Sequence, residues 1–492
     1  MRRLFSKPAL LFSFSLFIMF SITCRQTHGY AAVQNDDDFL LLMMPAIIAA
    51  HQINQYDPNN PHASISSWKG TATCLKCHQT EGEAVFHTTH YQWLGDTPYM
   101  TNGPDLQGKL DMGVNSYCIN TTGNWNGCGS CHTGLGARPE TTMSTSQLQN
   151  IDCLICHQDE YKRVKVEGVF VPDTAAMTIS MKLAAQTVHL PTRTGCLQCH
   201  AKGGGGDNFK RGDMALAHGN TADRNFDIHM ATSGANLTCQ SCHITEDHKM
   251  AGKGSDLRPT DLDVEMSCSS CHENKESLSG HSNRDIGRHV ARVACQSCHI
   301  PTYAKNASDT DATEETEVHR DWQHPYETAS GAIHPQPTID GNLTPRYRWW
   351  NGLSSSYLLF DTVQTPITDN IATSAPIGAA NSNNAKLYPF KYKTAYQPLD
   401  SSVSQLIALD TSIYFATGDY VAATQSGLEN MGRDPLTPVT WVTTDTYQLI
   451  THEVAPANQA LSCNDCHNTT IRMDLTGNLG YNLKGSRSQV CT

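Results

Sequence analysis

Residues 194–213 read TGCLQCHAKGGGGDNFKRGD. A Cys-x-x-Cys-His pentapeptide runs into four glycines, after which Asp207 and Lys210 stand three residues apart. The pentapeptide recurs along the chain as CLKCH (74–78), CGSCH (128–132), CLICH (153–157), CLQCH (196–200), CQSCH (239–243), CSSCH (268–272), CQSCH (295–299) and CNDCH (463–467). Sixteen of the 19 cysteines fall in these eight copies.

That pattern is the attachment motif of c-type haem. Two thiols add across the two vinyl groups of a porphyrin, which requires a two-residue spacer, and the adjacent imidazole then sits under the iron. Structural zinc also uses paired Cys-x-x-Cys units, but has no need of a His after every second Cys. The attachment residues are therefore Cys74 and Cys77, Cys128 and Cys131, Cys153 and Cys156, Cys196 and Cys199, Cys239 and Cys242, Cys268 and Cys271, Cys295 and Cys298, and Cys463 and Cys466. The proximal ligands are His78, His132, His157, His200, His243, His272, His299 and His467. Eight covalent haem c groups, with their iron, are expected.

The haems bear on the fold. Only 39% of the 492 residues are hydrophobic, and 35 Gly and 22 Pro interrupt them. Porphyrin faces can supply the missing apolar surface. The expected fold is mainly α with extensive irregular structure and little sheet, wrapped around a covalent haem array. Motifs two to seven are too closely spaced for independent domains. Residues 300–460 carry no motif and are rich in Thr, Ser, Asn and Pro; they read as a long haem-free excursion within a catalytic unit spanning 71–492.

The N-terminus reads as a secretory signal over 1–31: Arg2, Arg3 and Lys7, an apolar run from Leu10 to Phe20, then small residues. This predicts a periplasmic or otherwise exported protein. Residues 32–70 form an N-terminal extension. Its apolar run FLLLMMPAIIAA (39–50) is compatible with membrane association without requiring it. Loss of the signal removes four positive charges and takes the net charge from −12 to −16. Such a chain is a poor nucleic-acid partner, while its field favours a basic redox protein. The expected partners are an electron-donor cytochrome or quinol-linked redox protein, and a small anionic or polar substrate.

A low-spin haem needs a second axial ligand. His90, His229, His248, His281 and His289 lie a few residues from a motif, and His452 precedes the last one. His51 or His62 can serve from the N-terminal extension. An array capped throughout by imidazole is a wire; chemistry needs one iron that is different.

The glycine run bears on that difference. A phosphate loop needs G-x-x-x-x-G-K-[ST], which Lys210 and Arg211 do not satisfy. Four glycines do let backbone approach a porphyrin closely, and they deliver Asp207, Lys210 and Arg211 beside it. Here the sequence resembles the octahaem tetrathionate reductases, over about residues 70–480. Shared stretches include THYQWLG, IDCLICHQDEYKRV, PTRTGCLQCHAKGGGGDNFKRGD, FDIHM, VACQSCHIPTYAK, RYRWWNG and ALSCNDCH. The resemblance implies that the second haem is catalytic and that Lys210 takes the distal position over the haem of Cys128, Cys131 and His132. It implies Asp207, Asn115 and Cys118 as pocket residues. One departure stands at His189, where the family pattern has Gly.

The resemblance implies a terminal reductase of tetrathionate, with nitrite and hydroxylamine as further substrates. Two rivals remain: a hydroxylamine- or hydrazine-type oxidase, whose catalytic haem is cross-linked to a tyrosine, and a non-catalytic electron conduit.

Overall fold

The structure, a computed structural model, describes residues 60–492 except 118, 124, 126–128, 130–131, 253–255, 257–258, 273–280, 282–283, 468–471 and 483–492. The signal segment, most of the N-terminal extension, His51, Cys118, Cys128 and Cys131 lie outside the described residues. Met1–Ala63 and Ser64–Thr492 form separate compact units. In the first, His62 sits in a short 3-10 turn, Pro61–Ser64, and its amide donates to the Asn60 side chain (2.9 Å).

The haem-motif half of the second unit is built as expected, from short helices and turns. The longest helices here are Gln79–Phe86 and Arg193–His200, eight residues each. Each carries or follows a motif. Thr192 caps Arg193–His200 by accepting from the Gly195 amide, and its hydroxyl donates to both oxygens of Asp159 (2.7 and 2.8 Å). The loop after the third motif is thereby tied to the start of this helix.

The haem-free excursion departs from expectation. It folds into an eight-stranded mixed sheet, so "mainly α with little sheet" is corrected. The strands are β1 (Thr316–Glu327), β2 (Ile333–Asp340), β3 (Arg346–Trp350), β4 (Ser354–Ser356), β5 (Ile371–Pro376), β6 (Lys386–Asp400), β7 (Gln405–Leu406) and β8 (Val439–Leu449). Their order is β4-β5-β8-β6-β1-β2, with β3 and β7 also on β6. The β6–β8 pair is antiparallel from Phe390–Leu449 to Asp400–Val439, and β6 meets β1 in parallel.

The composition that suggested loop is also strand composition. Thr, Tyr, Trp and Val suit a pleated, half-buried surface, and KLYPFKYKTAYQPLD alternates bulky and polar residues along β6. The helices Thr411–Thr417 and Tyr420–Asn430 cover the sheet. Between them lies a side-chain core of Trp322, Leu399, Leu406, Tyr414 and Leu428, all buried. The sheet therefore carries its own apolar core and does not depend on porphyrin for it.

Candidate functional site

The proximal histidines are brought face to face with histidines from remote segments. Ring centroids lie 6.1 Å apart for His90–His200, 6.2 Å for His157–His248 and 6.0 Å for His229–His272. They lie 6.1 Å apart for His281–His299, 6.0 Å for His289–His467 and 6.3 Å for His243–His452. One metal bound by two imidazoles through bonds of about 2.0 Å puts the ring centres roughly 6 Å apart. The spacing fits one iron between each pair; His452 is stacked on His243 and also lies 6.3 Å from His218.

Burial favours the neutral, metal-binding form for four of these rings, whereas at His452 burial lowers the pKa but the Asp213 carboxylate raises it above the usual value. Burial pushes His200 down to about 3, with His90, His243, Lys210 and Arg211 adding repulsion. Burial also lowers His90, His157 and His299. Second partners orient some rings: Nδ1 of His157 pairs with the His189 carbonyl (2.9 Å), Nδ1 of His243 with that of Ala251 (3.0 Å), and Nδ1 of His289 with that of Asp285 (2.7 Å). His189, the departure from the family pattern, acts here through its backbone oxygen. The buried Nδ1 of His90 and Nη1 of Arg211 find no hydrogen-bond partner among the described residues. Haem, with its polar edge groups, fits such a frame, and it would supply an iron coordination position and electrons.

Motifs remote in sequence also touch. The sulfurs of Cys74 and Cys153 lie side by side, as do those of Cys196 and Cys239, and of Cys268 and Cys295. The first attachment site thus adjoins the third, the fourth the fifth, and the sixth the seventh.

The second site is built differently. His132 is buried, and burial holds its ring neutral, helped by repulsion from His90, Arg163, Lys109 and Lys210. No imidazole among the described residues faces it as the six pairs above face each other; Trp93 packs against its ring. Arg163 clamps the motif from behind: its guanidinium donates to the carbonyls of Gly134 (3.0 Å) and His132 (3.2 Å) and to the Asp152 carboxylate (3.1 Å).

Lys210 reaches this region on the glycine-rich loop. Asn208 donates back to the Ala201 carbonyl (2.9 Å) and Lys210 to that of Gly203 (3.1 Å), so the chain folds tightly on itself. Gly204 (φ +90°) and Gly205 (φ +109°) take left-handed backbone, and a Cβ on Gly204 would sit 3.0 Å from the Tyr117 ring. The glycines are therefore required by close packing of this loop on the 115–117 turn, and the stretch is not a flexible linker.

In that turn, Asn115 accepts from the Tyr117 amide through its side chain (2.9 Å). The buried Tyr117 hydroxyl donates to the Lys210 carbonyl (3.0 Å). Asp207 accepts from the Leu216 amide (2.9 Å), and burial raises its pKa against the pull of that bond and of Lys202. Lys202 is exposed, whereas Arg211 is tied to the Leu449 carbonyl (2.8 Å) and to Asp213 (3.5 Å).

Sequence reasoning missed the wall behind this loop, which the sheet supplies. Lys391 and Lys393, two apart on β6, share a face. Lys391 Nζ donates to the carbonyls of Phe209 (2.7 Å) and Lys210 (3.2 Å). Lys393 Nζ lies 3.3 Å from the centre of the Tyr117 ring and 2.6 Å from Glu317. Arg320, on β1, is chelated by Glu317 (2.9 and 3.0 Å) and donates to the carbonyls of Tyr117 (2.8 Å) and Gly204 (2.5 Å). The paired lysines in FKYKTAY were the available signal.

A model of the family "Cytochrome c bacterial" matches residues 303–470, which span the sheet and the last motif. An uncharacterized protein of Archaeoglobus fulgidus is 29% identical over 240 residues, covering 39% of this chain and 78% of the relative. The crystal structure of octahaem cytochrome c from Shewanella oneidensis superimposes with a TM-score of 0.71 at 28% identity, over 88% of this chain and 98% of that one. No helix among the described residues is long and apolar enough to cross a membrane. With its eight attachment motifs and remote imidazoles set in facing pairs, the chain is similar over most of its length to that octahaem cytochrome c.

Proposed function

We propose that this octahaem cytochrome is an exported terminal reductase whose catalytic haem is the second, with Lys210 opposite His132. One contrast carries the reading. Six proximal histidines each face another imidazole at 6.0–6.3 Å, whereas His132 faces none among the described residues and feels the charge of Lys210 instead. A neutral amine is a more readily displaced ligand than a packed imidazole. Released, it becomes an ammonium donor toward a bound anion.

The remaining groups fit reduction. Asp207, with its raised pKa, retains a proton to higher pH than an ordinary carboxyl and supplies it to a nitrogen oxyanion. Asn115 offers an amide to orient the substrate. Cys118 would attack the central S–S bond of tetrathionate by thiol–disulfide exchange. That attack would expel one thiosulfate and leave the other joined to Cys118 through a new S–S bond; two electrons would then release the second thiosulfate and restore the thiolate. The buried cations Arg320 and Lys393 outnumber Glu317 behind the loop and favour a small anion. The six paired sites carry electrons from a donor cytochrome or quinol-linked protein.

The test is turnover with a reduced dye donor, wild type against Lys210→Ala. A loss of at least tenfold with tetrathionate, nitrite or hydroxylamine, at unchanged haem content, supports the site. Equal rates with all three remove it and leave an electron conduit. A red-shifted cross-linked haem band with hydroxylamine oxidation would favour the oxidase.

A further inference from the structure

Asp213 stands three residues beyond Lys210, at the end of the same loop, and its side chain is fully buried. Its Oδ2 gathers three donors from one remote segment: the amide of Thr451 (2.8 Å), the amide of His452 (3.1 Å) and Nδ1 of His452 (3.3 Å). Its Oδ1 lies 3.5 Å from Arg211 Nε. A second buried carboxylate, Asp227, locks the next residue by accepting from the Glu453 amide (2.7 Å), and it also accepts from the amides of His229 (2.8 Å) and Met230 (3.1 Å). The segment that presents His452 to His243 is therefore fixed by two aspartates. One comes from the Lys210 loop and the other from the turn that carries His229.

An imidazole that binds metal through Nε2 keeps a donor at Nδ1, and the acceptor there decides how anionic the ring becomes. His157, His243 and His289 meet neutral carbonyls. His452 meets a buried carboxylate, Asp213, whose Oδ2 also takes the amides of Thr451 and His452 and whose Oδ1 lies beside Arg211. A more anionic axial ligand stabilises ferric over ferrous iron in a low-dielectric site.

We propose that Asp213 is a positioning residue that holds His452 as the second axial ligand of the fifth haem and, by polarising its imidazole, sets that haem's potential below those of the carbonyl-supported bis-imidazole haems. The inference rests on the paired-imidazole reading of the array and not on the substrate or on Lys210. Its consequence is directional: the fifth haem is reduced last and reoxidised first. It adjoins the fourth through the Cys196–Cys239 contact, so an electron placed on it is passed on rather than stored.

The experiment is a redox titration, with electron paramagnetic resonance of the oxidised state, on full-length holoprotein carrying Asp213→Asn, Asp213→Glu or His452→Met. Haem content is checked by mass. Asp213→Asn is expected to raise one potential and shift one low-spin signal toward ordinary neutral bis-imidazole values. Asp213→Glu, which keeps the charge, stays near wild type. His452→Met raises the same component further. Potentials and signals in Asp213→Asn indistinguishable from wild type, with His452→Met still shifting one haem, overturn the role of Asp213 alone. No shift in His452→Met overturns the paired-imidazole reading itself. Should Asp213→Asn not assemble, the wild-type titration decides: one component must lie apart below the other bis-imidazole haems, and its absence overturns the proposal.

Discussion

Lys391 Nζ donates a 2.7 Å hydrogen bond to the carbonyl oxygen of Phe209, the residue that precedes Lys210. The same ammonium reaches the Lys210 carbonyl (3.2 Å) and the Thr316 hydroxyl (2.5 Å). A strand of the haem-free sheet thus braces the loop that presents the candidate catalytic amine. Burial and the nearby Lys393 depress the Lys391 pKa far below its usual value, so charging this Nζ costs stability. Lys391→Met is expected to leave haem content unchanged and to slow turnover by roughly ten- to a hundredfold, the penalty for misplacing a reacting group by about an ångström. Steady-state assays on haem-normalised protein check it, and a rate within twofold of wild type would refute the brace.

Arg163 and Asp152 form a buried pair at 3.1 Å that joins the second and third attachment sites. Burial raises Asp152 to about 6 even with the guanidinium beside it. Arg163→Met strands that carboxyl and frees the His132 and Gly134 carbonyls, so a loss of about 3–5 kcal/mol is expected. Adding Asp152→Asn should recover part of it. Guanidinium unfolding of the two proteins measures the difference, and strict additivity would argue against coupling.

Glu314 is buried, one carboxyl oxygen accepts the Ala307 amide (2.9 Å), and burial pushes its pKa up to about 7. Since the folded value lies above the ordinary one near 4.5, the native state holds a proton that the unfolded state has released. Stability from this group is complete below about pH 4.5 and is lost as pH rises to about 7. Glu314→Gln should raise stability at pH 8 by on the order of 1 kcal/mol and flatten that part of the profile. Melting temperatures from pH 5 to 8 test this, and parallel curves for the two proteins would contradict it.

His289 faces His467 at 6.0 Å. If both grip the last iron, His289→Met should raise a single haem potential by on the order of 0.1 V, within the ~0.8 V range that axial ligands command. Optical redox titration reads this directly, and no change in any component would exclude His289 as a ligand.

The attachment chemistry was legible because it is local. Two thiols and an imidazole within five residues suffice to hold a porphyrin, whatever surrounds them. The glycine run read as a close approach to a porphyrin; the neighbour the structure shows is the Tyr117 ring, with left-handed backbone at Gly204 and Gly205 that leaves few other residues possible. The sheet was not anticipated, although β6 and β8 carry the alternation of a half-buried strand. Weighing Thr, Ser, Asn and Pro as loop formers hid that signal.

What the sequence marked out by itself is therefore the motif frame: which cysteines can attach a porphyrin, which histidines would then lie proximal, and which loop could carry a different ligand. Only the tertiary structure decided which imidazole meets which, that the lysines of β6 stand behind the Lys210 loop, and that Asp213 grips His452. Those relationships join segments remote along the chain. Their energy comes from charges and rings buried together, and no local window of sequence records a contact that exists only when both sides are in place.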